Sequence, residues 1–136
     1  MSARSKSRKA ALDLLYESDI RRANAEQLLS QRVESLDYLI RDYTKVLVIG
    51  VATKKARIDE LIQSYAQGWD FDRMPVIDRN LLRIAIYELL YERDLPPAIA
   101  ISEAVELAKT LSTDDSANYI NGILSTIEKI KDGLVI

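Results

Sequence analysis

The chain has no cysteine and no histidine among its 136 residues. The first absence excludes disulfides and thiolate metal ligands. The second removes the commonest general base, the commonest transition-metal ligand and the side chain that titrates near neutrality. Ser-His and Cys-His constellations cannot be assembled. Only four glycines occur, none in a GxGxxG or Walker spacing, so no phosphate-cradling loop is expected. No apolar run approaches the roughly 18 residues that span a bilayer; the longest is Val46 to Ala52. The basic N-terminus runs into Asp13 and Glu17, which interrupt any signal-peptide core. These absences predict a cytoplasmic protein with no membrane association, no cofactor, no metal centre and no enzymatic activity.

What is present is globular. Apolar residues make up 48% of the chain and charged residues 29%, outside the range of disordered sequences. The length fits one domain with its own core, expected over residues 1–136. The net charge of −2 divides unevenly. Residues 1–9 hold Arg4, Lys6, Arg8 and Lys9 and no acid, so they carry +4 and residues 10–136 carry −6. A local basic arm on an acidic body suits a local contact with a polyanion. It also suits a solvated terminus, and residues 1–6 are expected to be a flexible arm.

The dominant period is helical. Ser7 to about Asp19 places Ala11, Leu12, Leu15 and Tyr16 on one stripe, where Tyr16 reads as core. Ala25 to Glu34 turns Leu28, Leu29 and Val33 inward. A longer helix is expected from Asp37 to about Thr53, with Leu39, Ile40, Tyr43, Leu47 and Val51 in register. Another follows from Ala56 to Gln67, closed by Gly68. Trp69 to Pro75 reads as a loop with a packed tryptophan. Val76 to Glu92 is apolar on most of its surface, the mark of a central helix. Ile99 to Leu111 follows Pro96-Pro97. Thr113 caps the last helix, with Asp114 and Asp115 in its first turn and Gly133 at its end. Gly122 lies inside that helix, where it costs about 1 kcal/mol against alanine, so a close helix contact is expected there. The fold class is all-α: one compact bundle of about seven helices.

Three constellations suit binding. The first is the basic start, Arg4, Lys6, Arg8 and Lys9, leading to Tyr16. Cations take phosphates and an aromatic face takes an unpaired base. The second is the helix start at Asp115, Ser116, Asn118, Tyr119 and Asn121, where short polar groups flank an aromatic. The third is Asp78, Arg79, Arg83 and Glu88 on an otherwise apolar helix, which reads equally as a solvated stripe or a protein interface. The acid pair Asp70/Asp72 could hold a hard cation, a weak signal for two loop carboxylates.

The same segments resemble the NusB family. The carriers are the basic run from Arg8 into Ala11-Leu12 and Leu15-Tyr16, then Gly50-Val51-Ala52-Thr53 and Ile58-Asp59-Glu60-Leu61. They continue through Asp78-Arg79-Asn80-Leu81-Leu82-Arg83-Ile84-Ala85-Ile86-Tyr87-Glu88-Leu89 and Ile101-Ser102-Glu103-Ala104-Val105-Glu106-Leu107-Ala108-Lys109. Asp114-Asp115-Ser116 and Tyr119-Ile120-Asn121-Gly122-Ile123-Leu124 complete the set. The resemblance implies an antitermination factor that binds single-stranded boxA-type RNA of ribosomal RNA leaders. It implies NusE, a ribosomal small-subunit protein, as partner, action on the RNA polymerase elongation complex, and homodimers in some members. Carried over by position, the RNA region would include Arg4, Lys6, Arg8, Lys9, Tyr16, Asp115, Asn118 and Tyr119. Asp78, with Arg79 beside it, matches the NusE side, and Arg83 belongs to the same charged set. Tyr119 stands where the family often has phenylalanine, so its hydroxyl adds a donor. The alternative is a protein-interaction or homo-oligomerisation module without specific RNA recognition. Similar helical domains also precede ribosomal RNA methyltransferases, but these 136 residues leave no room for a nucleotide-binding α/β domain.

Overall fold

The computed structural model describes residues 1–35 and 39–136. They form six α-helices: α1 (Ala3–Arg21), α2 (Ala25–Glu34), α3 (Asp42–Tyr65), α4 (Val76–Tyr91), α5 (Pro97–Leu111) and α6 (Asp114–Ile130). Short 3-10 turns at Phe71–Arg73 and Lys131–Gly133 follow α3 and α6. No strand occurs among the described residues.

The caps explain several boundaries. Asn24 accepts from the Gln27 amide at 3.0 Å and starts α2. Thr113 accepts from the Ser116 amide at 3.0 Å and starts α6, as its hydroxyl predicted. α1 begins earlier than the apolar stripe suggested, because Ser2 accepts from the Ser5 amide at 3.0 Å. The expected arm over residues 1–6 is therefore helical from Ala3.

Two expected helices are one. α3 runs 24 residues without a break at Thr53 to Ala56. Its buried positions Leu47, Val51, Ile58 and Ile62 keep helical register across that stretch, and no glycine or proline interrupts it there. The Asp37 start lies outside the described residues. Leu39 and Ile40 precede the helix instead of joining it, and Leu39 is exposed.

The central place of α4 is borne out. It packs against α1, α3, α5 and α6, burying Leu81, Leu82, Ile84, Ala85, Ile86, Leu89 and Leu90. One core gathers these with Leu12, Leu47, Ile58, Ile62, Ile120, Leu124 and Ile127. Each such side chain contributes roughly 1.5–3 kcal/mol of burial free energy. Trp69 packs against this core only in part. Val33 does not face inward: α2 buries Leu28 and Leu29 and leaves Val33 exposed.

The close approach expected at Gly122 is found elsewhere. A methyl at Gly122 would meet nothing within 4 Å, whereas one at Gly50 would sit 2.3 Å from the Tyr87 ring. α3 and α4 thus meet where Gly50 leaves room for an aromatic edge.

Candidate nucleic-acid and partner interfaces

The four cations of the basic start differ in exposure. Arg4 and Lys6 are exposed. Arg8, half a helical period away from Lys6, points into the bundle and is 2% exposed. Its Nε donates to both Glu88 carboxylate oxygens at 3.0 Å, and its terminal nitrogen meets Glu103 at 3.1 Å. Ser5 also donates to Glu103, at 2.5 Å. Burial works against the Arg8 charge, but the bonds and fields of Glu88 and Glu103 more than offset it and hold its pKa above the ordinary value. Arg8 therefore fastens α1 to α4 and α5 and presents no surface for phosphate. Lys9 is engaged by Asp13 at 2.8 Å.

Tyr43 completes this corner. Its hydroxyl donates to Glu88 in a very short bond, and burial with that carboxylate pushes its pKa upward. The Arg4 guanidinium lies 3.8 Å from the centre of its ring. A rigid aromatic thus carries one solvent-facing cation of the arm. Tyr16, expected in the core, is 40% exposed, because the buried phase of α1 runs through Ala11, Leu12, Leu14 and Leu15.

At the start of α6, Asp115 and Asn118 are exposed, while Ser116 turns inward. Tyr119 is half-buried: Trp69 meets it edge-on at 4.2 Å, and its hydroxyl donates to the Gln67 carbonyl at 2.8 Å. That hydroxyl is an internal tether. Burial raises its pKa.

These two regions do not converge. Arg8 binds Glu88 near the C-terminal end of α4, and Ser116 binds Asp78 near its N-terminal end. Ten helical residues between the two anchors correspond to about 15 Å. Tyr16 lies between them along α1, whose Asp19 reaches Asn80 and Arg83.

The charged set on α4 is neither a solvated stripe nor an open interface. Asp78 is fully buried and accepts from Ser116 at 2.6 Å. Arg83, 4% exposed, donates to both Asp59 oxygens at 2.8 and 3.0 Å and to Asp19 at 2.7 Å. Burial lowers its tendency to hold charge, but Asp59 and Asp19 outweigh it and raise its pKa. Arg79 is half-buried, 3.6 Å from Asp19 and beside the Phe71 ring. As placed, Asp78 and Arg83 present almost no surface to a partner, because both are buried; Arg83 spends its donors between helices, while one Asp78 oxygen binds Ser116 and the other has no partner among the described residues. Sequence reasoning missed the partners of the buried charges: Asp19 and Asp59 for Arg83, Tyr43 for Glu88 and Glu103 for Arg8. The available signal was the isolation of single charges on an apolar helix, which marks buried pairing.

Asp70 is occupied too, accepting from the Asp72 amide at 3.0 Å to start a 3-10 turn. Among the described residues no group of His, Cys, Asp or Glu is arranged to hold a metal ion. No described helix is long and apolar enough to cross a membrane.

With this geometry, residues 5–129 match the NusB family model. A relative from Pseudarthrobacter chlorophenolicus, transcription antitermination protein NusB, is 47% identical over 135 residues, covering 99% of each chain. The NusB structure from T. maritima superimposes with a TM-score of 0.82 at 34% identity, over 98% of this chain and 99% of that one. A NusB chain from a crystal structure of antitermination factors NusB and NusE with dsRNA superimposes at 0.80 with 29% identity, over 93% and 96%. Sequence and architecture agree along almost the whole length, and the chain belongs to the NusB family.

Proposed function

We propose that the protein is a cytoplasmic transcription antitermination factor that binds RNA together with NusE. It acts on the RNA polymerase elongation complex as an adaptor and not as an enzyme. The observation that carries this is the match, from end to end, to antitermination proteins. The solved NusB–NusE–RNA complex of a similar chain supports RNA and NusE as the partners. The RNA read is boxA-type and single-stranded.

Exposure supports the following division of roles among the residues. Arg4 and Lys6 supply the phosphate contacts, Arg4 from its seat on Tyr43. Exposed Tyr16 offers a ring to an unpaired base. Asn118, Asp115 and the exposed edge of Tyr119 form a second contact, on the helix anchored to α4 at Asp78, and the RNA is a strand that touches both. Lys9 adds charge at the margin. Arg8 contributes by holding the start of α1 in place. On the NusE side, Arg79 is the member of the α4 set with exposed surface, and Asp78 and Arg83 act through the helices they fasten.

Fluorescence anisotropy across a salt series tests this. Arg4→Glu with Lys6→Glu should weaken binding to boxA and scrambled RNA alike. It should also flatten the slope of log K against log salt by about 1.4, as for two lost contacts with single-stranded RNA. Asn118→Ala with Tyr119→Leu should instead narrow the difference between the two RNAs. Equal affinity of the unmodified protein for both, with and without NusE, would refute specific recognition.

A further inference from the structure

We propose that the groove between α3 and α4 is a docking site for a protein segment with an apolar face flanked by carboxylates. It begins one turn along α3 from Tyr43, the seat of Arg4. Val46, Ile49 and Thr53 recur at i, i+3 and i+7 along α3, and Tyr87 and Tyr91 line the other wall. Val46 is 40% and Ile49 45% exposed. The groove encloses about 460 Å³. Its floor is Gly50, pressed so closely by Tyr87 that no side chain could fill it from below. Tyr87 and Tyr91 are stacked at 5.4 Å and make that wall rigid. Single exposed apolar residues are ordinary, but a contiguous stripe beside an aromatic wall is the form of a helix-receiving groove.

The rim states the charge of the occupant. Lys45 and Lys54 stand at the two ends, nine residues apart on α3, or about 14 Å. Lys54 lies 5.1 Å over the Tyr91 ring, and Lys45 is only loosely paired, 3.8 Å from Asp42. The other acid close by, Glu92, is met by the Tyr87 hydroxyl at 3.3 Å. Residues 10–136 carry −6 overall, so a cationic rim here inverts the sign of the body around it. A second copy docking on the same face about a two-fold axis would bring lysine rims together, which opposes self-association. An amphipathic segment with acids about 14 Å apart meets both the stripe and the rim.

The probe is a synthetic amphipathic peptide of about four helical turns, with leucines at i, i+3 and i+7 and glutamates at both ends. Its counterpart ends in lysines. Titrated into the full chain by NMR, the glutamate-ended peptide should shift Val46, Ile49 and Thr53 and bind more tightly than its counterpart. Ile49→Ser, a surface change, should abolish binding. Lys45→Glu with Lys54→Glu should weaken the glutamate-ended peptide about tenfold and reverse the preference. Equal binding of both peptides, or shifts centred elsewhere, would overturn the proposal. So would a concentration-dependent dimer that Ile49→Ser dissolves, binding to phosphatidylserine vesicles in place of the peptide, or displacement of the peptide by NusE.

Discussion

Near the C-terminal end of α4 the buried arginine comes from another helix; at its middle the buried arginine belongs to α4 itself. Arg8 enters from α1 and spends its donors on Glu88 of α4 and Glu103 of α5. Arg83 leaves α4 and spends its donors on Asp19 of α1 and Asp59 of α3. Both arrangements join three helices. They differ in what they leave outside. The Arg8 corner holds the first turns of α1 so that Arg4 and Lys6 face solvent, one of them on a tyrosine ring. The Arg83 corner absorbs its cation between α1 and α3, while the start of α6, fastened to α4 through Ser116 and Asp78, leaves Asp115, Asn118 and Asn121 exposed. The start of α1 therefore leaves cations exposed, and the start of α6 leaves short polar groups exposed.

The largest effect expected from breaking this comparison is at Arg8. Among the described residues, Arg8→Leu leaves Glu88, 1% exposed, with only the Tyr43 hydroxyl as a partner. Removing one member of a buried pair costs about 3–5 kcal/mol. Urea unfolding should show that loss, while RNA binding by the folded fraction changes far less than in Arg4→Glu. An Arg8→Leu protein of unchanged stability that has lost RNA binding would return Arg8 to the surface role that its sequence context implied.

The next largest effect lies at the Arg83 clasp. Burial pushes the Asp19 carboxyl upward, but the Arg83 charge, together with the Asn80 and Arg83 hydrogen bonds, prevails and lowers its pKa from the ordinary 3.8. A depressed carboxylate adds stability above its unfolded pKa and loses it as pH falls through the folded one. Asp19→Asn should cost about 1–3 kcal/mol near neutrality, the range for hydrogen bonds to a charged group. The gap to the unmodified protein should close as pH falls below 3.8. A gap independent of pH would mean that shape, and not charge, fastens this clasp.

How much of this was legible follows from periodicity. The apolar stripes of α2, α4, α5 and α6 and the Thr113 cap were readable, because helical phase and capping act locally. Which arginine is buried was not. Arg4 and Arg8 sit one turn apart in the same basic run, and only the carboxylates of Glu88 and Glu103, about 80 and 95 residues away, distinguish them. The two glycines fail for the same reason. Gly50 is required by a ring from another helix, whereas Gly122 faces open space. Tyr16 and Val33 show the limit of a stripe read by eye: each lies at its margin, and a small shift in helix phase takes it into solvent.

The smallest effect separates the two functions of the Arg8 corner. Tyr43 both donates to Glu88 and supports Arg4. Tyr43→Phe removes the donor and keeps the ring. Glu88 retains both Arg8 bonds, so the cost should be about 1 kcal/mol, that of a single hydrogen bond. RNA affinity should be unchanged, because Arg4 keeps its seat. Tyr43→Leu removes the ring as well. An exposed cation–π contact is worth about 0.5–1 kcal/mol, so RNA affinity should fall a further two- to fivefold, roughly, without a matching fall in stability. Parallel anisotropy and thermal unfolding on the two variants resolve the difference. Equal RNA affinity in both would show that Arg4 meets phosphate from many orientations and that the tyrosine serves the buried clasp alone.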